Sequence, residues 1–479
     1  MDSLRSKATH GVVWSVVERY SVHGVQFIIQ LVIARLLTPH DYGLIGMLAI
    51  FMSLSQVFID GGFSNALVQK KDRDEDDFST VFYINLGISL VAYFILFIGA
   101  PYIASFYKQP LLTPLTRIYS LNLIINSLVA VNKVKLVVAI DFKTQSKISL
   151  GAAIISGIAG IFCAYSKMGV WALVVQMMLN SILNVILSFY FVNWFPKLLF
   201  SINSFKRLFN YGSKLLIASI ITSIYSNIYN LVIGKQFAAS TLGLYTRAQQ
   251  FSSFVGTNIS GVLQRVSFPI LSEIQDDNKR LISAYKKYIG ISTWATFPVI
   301  LSLCGVAKPL IIVLLTEKWV TCVPFLQILC FATLWDCVTR VNLNLLYVKG
   351  RSDWVLKLEI VKKTIAFSIL AISMFFNMYV ICIGQAVYSI IAFYLNTHYT
   401  KKLFNYGFYS QMKDLMPQLM LSLIMMGGCL LISELVTIPI ISLVVSFLTG
   451  ITIYWAGSRV FNLYGYQEIS QMLKEKLNK

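Results

Sequence analysis

Charge is scarce in this chain. Only 13% of its 479 residues are Asp, Glu, Lys or Arg, while 57% are hydrophobic; a soluble domain has roughly 25% charged residues. With a mean hydropathy of +0.69, an integral membrane protein is implied. Acidic charge is scarcer still, with 21 Asp and Glu against 40 Lys and Arg, a formal charge of +19. In a membrane chain that excess reflects basic residues gathered in cytoplasmic loops and near anionic headgroups. No nucleic-acid motif accompanies it. The seven cysteines, at 163, 304, 322, 330, 337, 382 and 429, show no CxxC or Cys/His spacing, so neither a disulfide framework nor a metal site is expected. Long polar loops are missing too. No loop exceeds roughly twenty residues, which leaves no room for a soluble catalytic domain. No nucleophile–base pair or glycine-rich phosphate loop occurs, and no cofactor is expected. The first apolar stretch is interrupted by Glu18, Arg19 and His23 and lacks a cleavage pattern, so it is expected to remain as the first helix.

Long apolar runs are plentiful. At about 20 residues per crossing, about fourteen spans are expected: 11–36, 42–68, 80–105, 113–138, 145–166, 170–192, 211–235, 244–268, 287–315, 322–348, 355–376, 379–398, 414–433 and 437–460. Lys and Arg gather after the even-numbered spans, as in Lys70, Lys71 and Arg73, or Lys401, Lys402 and Lys413. Both termini are therefore expected in the cytoplasm.

The chain also repeats itself. Leu31-Val32-Ile33 matches Leu231-Val232-Ile233, and Gly43, Leu44, Phe51, Ser53, Ile59 and Gly61 match Gly243, Leu244, Phe251, Ser253, Ile259 and Gly261. A period of two hundred residues holds six spans, so the copies have the same orientation. The expected fold is all-α, with two six-helix lobes related by a parallel repeat and two extra C-terminal helices. The divisions are 1–198, a cytoplasmic interfacial linker 199–210, 211–400, and 401–479 with the added helices and tail.

Polar residues inside apolar spans mark where chemistry is expected. Ser15, Arg19, His23, Gln26 and Gln30 share one face of span one, and the repeat sets Ser219, Ser223, Ser226 and Asn230 on the same face of span seven. Neutral stripes of this kind also glue helices together. Arg19 fits that role poorly, because charge at mid-membrane costs about 2.5–3.5 kcal/mol on the lenient scale. In span eight, Arg247, Gln250, Asn258, Gly261 and Arg265 share a face, the arginines roughly 27 Å apart at 1.5 Å per residue. Their counterparts are Met47 and Asn65, so these charges are specific to the second lobe; either arginine could instead snorkel to a headgroup. The expected cavity lining is Arg19, His23, Gln26, Gln30, Asn230, Arg247, Gln250, Asn258 and Arg265. Gating or coupling charges are expected at Asp60, Asp336 and Arg340, with Asp60 paired to Arg19 at matching depth and Asp336 neutralised by Arg340 four residues on. Glu359, Lys362 and Lys363 are candidates for the cytoplasmic mouth. The run Asp72-Arg73-Asp74-Glu75-Asp76-Asp77 is expected to be a solvated loop favouring the next helix N-terminus rather than a sugar-nucleotide DxD motif.

The segments Leu36-Leu-Thr-Pro-His-Asp-Tyr-Gly-Leu44 and Phe58-Ile-Asp-Gly-Gly-Phe-Ser-Asn-Ala-Leu-Val-Gln69 resemble bacterial polysaccharide flippases, as do Leu242-Gly-Leu-Tyr-Thr-Arg-Ala-Gln-Gln250 and Phe268-Pro-Ile-Leu-Ser-Glu-Ile-Gln-Asp276. The resemblance is to their lipopolysaccharide and colanic-acid exporter branch. It implies the multidrug/oligosaccharidyl-lipid/polysaccharide exporter superfamily and a V-shaped pair of lobes. It further implies a bacterial inner-membrane protein that is not an enzyme and moves an undecaprenyl-diphosphate-linked oligosaccharide to the outer leaflet by alternating access. Related lipid II flippases use cavity arginines, a theme Arg19 and Arg247 match by helix and depth. Implied partners are the lipid-linked oligosaccharide, membrane lipids, polysaccharide polymerase machinery and a coupling ion, with no nucleic acid. A drug or cation antiporter of the same superfamily would favour an acidic cavity, and a membrane-embedded glycosyltransferase or polymerase would need a catalytic loop or domain.

Overall fold

The computed structural model describes residues 21–463, 465–468 and 470, and at 255 and 257–266 the backbone without the side chains. The chain divides into two compact units, Met1–Gly243 and Leu244–Lys479. Among the described residues every regular element is helical.

The first unit holds α1 (Ser21–Leu36), α2 (Pro39–Asp60), α3 (Phe63–Gln69), α4 (Glu75–Tyr107), α5 (Leu112–Tyr119), α6 (Leu121–Val138), α7 (Phe142–Tyr165), α8 (Val170–Val192), α9 (Ile202–Gln236) and the start of α10 (Ala239–Glu273). The second holds the rest of α10, then α11 (Asn278–Gly305), α12 (Ala307–Leu315), a 3-10 turn (Glu317–Cys322), α13 (Val323–Leu334), α14 (Asp336–Val348), α15 (Ser352–Ser373), α16 (Met378–Phe404), α17 (Phe408–Leu435) and α18 (Pro439–Val460). Among the described residues the expected spans fall on helices, the second split between α2 and α3. Among the described residues, eleven helical segments are long and apolar enough to cross a membrane. This is a multi-pass membrane protein.

Local chemistry sets the helix ends. Thr38 caps α2 reciprocally with Asp41: the Thr38 amide donates to Asp41 Oδ2 at 2.9 Å while Asp41 N donates to Thr38 Oγ1 at 3.4 Å, and Pro39 takes the first turn. Span two is not one helix. Gly61 and Gly62 adopt positive φ values of 47° and 75° and break it between α2 and α3, whereas α10 runs unbroken through Gly261, the repeat counterpart.

Burial is inverted relative to a soluble bundle. Ile98, Phe162, Ile186, Ile424 and Leu448 face outward, while Asn85, Ser89, Ser127 and Asn132 are buried between α4 and α6. The hydroxyls of Ser89 and Ser127 lie 3.0 Å apart. Interhelical polar contacts of this kind hold helices together where the surrounding lipid provides no hydrophobic drive.

Residues Pro39–Gly43 cross the equivalent Ala239–Gly243 of α10 at backbone contact. A Cβ on Gly43 would collide with the Ala239 carbonyl, and one on Gly243 with the Pro39 carbonyl. The contact is reciprocal because 39 and 239, like 43 and 243, are repeat partners. Only glycine fits at either crossing point.

The acidic run departs from expectation. Asp74 and Asp77 do form a capping box for α4, but Asp77 is buried and ion-paired with Lys70 and with Arg207 at 3.0 Å. Glu75 bonds Lys135 at 2.7 Å and the Trp194 indole at 2.6 Å. These carboxylates therefore clasp α3, α6 and the start of α9 to α4, above an apolar cluster that includes Phe63, Phe78, Phe82 and Trp194. The helical part of the linker continues without interruption from Ile202 into span seven.

Candidate functional site

Polar side chains on six helices of the first unit converge on a cavity of 480 Å³. On α6, Asn122 and Asn126 are one turn apart and follow Tyr119 of α5. Gln26 and Gln30 enter from α1, Ser53 and Gln56 from α2, Ser156 from α7, and Gln176, Asn180 and Ser181 from α8. Several already bond across the walls. Gln30 Nε2 donates to Gln176 Oε1 at 3.2 Å, and Asn180 Nδ2 donates to Ser156 Oγ at 3.2 Å. The Ser53 and Ser223 hydroxyls are 2.7 Å apart, joining α2 to α9. Asn122 differs. It is 4% exposed, and neither its Nδ2 nor its Oδ1 has a partner among the described residues.

A second cavity of 530 Å³ shares Gln56 and Asn126 with the first and adds Asp60, Ser64, Asn65 and Lys133. It reaches Val68 and Val137, near the basic ends of α3 and α6. Gln56 Nε2 donates to Asp60 Oδ1 at 3.2 Å, and among the described residues the positive charge of Lys133 acts on Asp60. Polar lining thus runs from the amide cavity to a pair of opposite charges.

In the second unit Arg247 is buried and donates from Nη1 to Gln250, which is exposed. Its charge reaches Cys322. Asp336 feels Arg340 and, unexpectedly, Lys362 of α15; buried Lys362 is itself ion-paired with Glu359. Elsewhere in this unit the buried amides Asn342 and Gln411 bond to one another. Tyr285 donates to Asn342 Oδ1 at 2.7 Å, Asn342 Nδ2 to Gln411 Oε1 at 3.1 Å, and Gln411 Nε2 to Tyr285 and Thr400 at 3.2 Å each. At the loop before α17, Tyr406 donates to Asp414 at 2.6 Å, and burial with that carboxylate pushes the phenol's pKa up.

The expected residues are thus distributed unevenly. Gln26 and Gln30 line the first cavity and Asp60 the second. His23 is exposed on α1, and Asn230 is half-buried on α9 and lines neither cavity. Arg19 lies outside the described residues, and Asn258 and Arg265 lie on α10 where the side chains are not described. Asn122, Asn126, Lys133, Gln176 and Asn180 were not anticipated as lining. The signal was present in part, since Asn122, Asn126 and Lys133 are spaced by four and seven and so share one helical face.

Residues 32–324 match the family described as polysaccharide biosynthesis protein. The chain belongs to this family. It is 26% identical to the lipopolysaccharide biosynthesis protein WzxC of Escherichia coli (strain K12), over 75% of this chain and 74% of that one. Identity to the teichuronic acid biosynthesis protein TuaB of Bacillus subtilis (strain 168) is 24%, over 74% of each. In fold the chain is similar to the lipid II flippase MurJ solved in an inward closed conformation, with a TM-score of 0.77 at 14% identity, covering 95% of this chain and 99% of that one.

Proposed function

We propose that this polysaccharide biosynthesis family member is a flippase, carrying an undecaprenyl-diphosphate-linked oligosaccharide from the cytoplasmic to the outer leaflet of the bacterial inner membrane. The observation that carries the reading is a polar, amide-lined cavity within a bundle whose outside is apolar. A lipid-linked sugar needs both: hydrogen-bonding groups to replace the hydration of its headgroup, and lipid around its tail. The relatives' names add surface-polysaccharide synthesis, and the fold is that of a lipid II flippase.

In this reading the chain makes and breaks no covalent bond. Arg247, with Arg19 and Arg265, meets the diphosphate, for which a guanidinium is suited by its paired donors. His23, Gln26, Gln30, Asn230, Gln250 and Asn258 complete the path for the headgroup. Asp60 acts with Lys133 at the cytoplasmic mouth, and Asp336 and Arg340 serve gating or coupling. The lobes 1–198 and 211–400 alternate access while the linker 199–210 and both termini stay cytoplasmic. A coupling ion drives the cycle, and polymerase machinery receives the product. A cation exporter would need an acidic cavity, and among the described residues no carboxylate lines the first cavity.

Depletion tests this directly. In cells that rely on the chain, its loss should trap complete lipid-linked oligosaccharide on the cytoplasmic leaflet. Accumulation of incomplete sugar chains would point to synthesis and overturn transport.

A further inference from the structure

We infer that the cavity inside the first unit is a subsite for uncharged, hydroxyl-rich sugar rings, with Asn122 as a specificity-determining contact. The inference rests on the flippase reading and names the part of the cargo that this cavity takes.

The chemistry of the wall selects the ligand. Among the described residues fifteen line the cavity, of which seven are amides and none is charged. Each amide presents donors and an acceptor side by side, matching a sugar hydroxyl, which also donates and accepts. A phosphate or carboxylate only accepts, so the amide oxygens would repel it. An organic cation would find no carboxylate among the described residues of the wall, and a lipid tail would leave the amides unpaired. The volume of 480 Å³ lies within the roughly 300–1,000 Å³ of small-molecule pockets.

Asn122 supplies the second observation. A buried amide without a partner is costly and calls for an explanation. Its neighbours Gln30 and Gln176 bond each other, and Asn180 bonds Ser156, so the walls can satisfy their own amides where packing alone is served. Asn122 lines the cavity and keeps two donors and an acceptor without a partner among the described residues.

The test uses the purified full-length chain in detergent and ligand-observed NMR. The probes are the methyl glycosides of glucose, galactose, mannose and N-acetylglucosamine, with methyl glucuronoside as the charged comparator and farnesyl diphosphate as a separate anionic probe. At least one neutral glycoside should bind, with the glucuronoside weaker by about fivefold or more. Asn122→Leu should weaken that glycoside by at least about fivefold, the value of one hydrogen bond, while leaving farnesyl diphosphate binding and the melting temperature intact. Asn126→Leu should weaken it as well. Failure of every neutral glycoside to bind, or unchanged binding by both variants, overturns the subsite. A melting temperature that falls with the glycoside signal in Asn122→Leu marks a structural amide and overturns that residue's role. The broader reading is judged apart from this. If depleted cells still trap lipid-linked oligosaccharide, the subsite falls alone; if they trap none, the flippase reading falls whatever the glycosides do.

Discussion

Asn122 in the first unit and Asn342 in the second are the same residue type, each buried on a bundle helix at 4% and 0% exposure. Asn342 uses its amide fully, through Tyr285, Gln411, Thr400 and the Val338 carbonyl. Asn122 uses none of it among the described residues. Burial and residue type are therefore poor guides to role here; what separates the two is whether the surrounding amides close on one another or stand around an open volume. A closed network rigidifies its helices, whereas an open one holds binding capacity in reserve at the expense of stability.

The largest effect should come from charge rather than amides. If Arg247 meets the cargo diphosphate, Arg247→Gln should cut transport in reconstituted vesicles by about ten- to hundredfold, the worth of a charge-assisted hydrogen bond. Arg247→Lys should fall between, because it keeps the charge without the paired donors. Normal transport by Arg247→Gln at matched protein level would remove Arg247 from the diphosphate site.

Asn342→Leu comes next and attacks the closed network. It strands Tyr285, Thr400 and Gln411, so apparent stability should fall by about 1–3 kcal/mol, read as a lower melting temperature in detergent. Transport per folded molecule should stay unchanged. Loss of transport with unchanged melting would erase the distinction between the units.

The charge pair beside the open cavity offers a subtler test. Asp60→Asn and Lys133→Gln should each impair transport, and the double variant should lose less than the summed singles, with a coupling of about 0.5–3 kcal/mol. Additive losses in that cycle would mean the two side chains act apart. Smallest of all is the stability change in Asn122→Leu, expected within about 0.5 kcal/mol and on the stabilising side, since an unpartnered amide is removed. A melting curve like that of Asn342→Leu would show the two asparagines to be alike.

Much of the fold was legible because apolar runs in lipid must be helices, and among the described residues eleven helical segments are long and apolar enough to cross a membrane. The break at Gly61–Gly62 was not, because the repeat partner Gly261 sits in an unbroken helix and glycine permits both outcomes. The acidic run misled in the same way. Its cap was readable from Asp74 and Asp77, but burial of Asp77 depends on Arg207, 130 positions away. In the site, Gln26 and Gln30 were found from their spacing. Lys133 stands near a helix end, where sequence alone gives it no partner, and only the fold brings it to the cavity that Asp60 lines. Local pattern reports which face a residue occupies; which face meets which is decided by tertiary packing.

The crossing of Gly43 on Ala239 and Gly243 on Pro39 ties two positions to one fate. Two repeat-related segments touch each other through the same atoms, each giving what the other gives. A side chain at either glycine would drive apart the same pair of backbones, so a methyl group at one position removes the closeness on which the other depends. The crossing therefore demands glycine at both positions together, never at one alone.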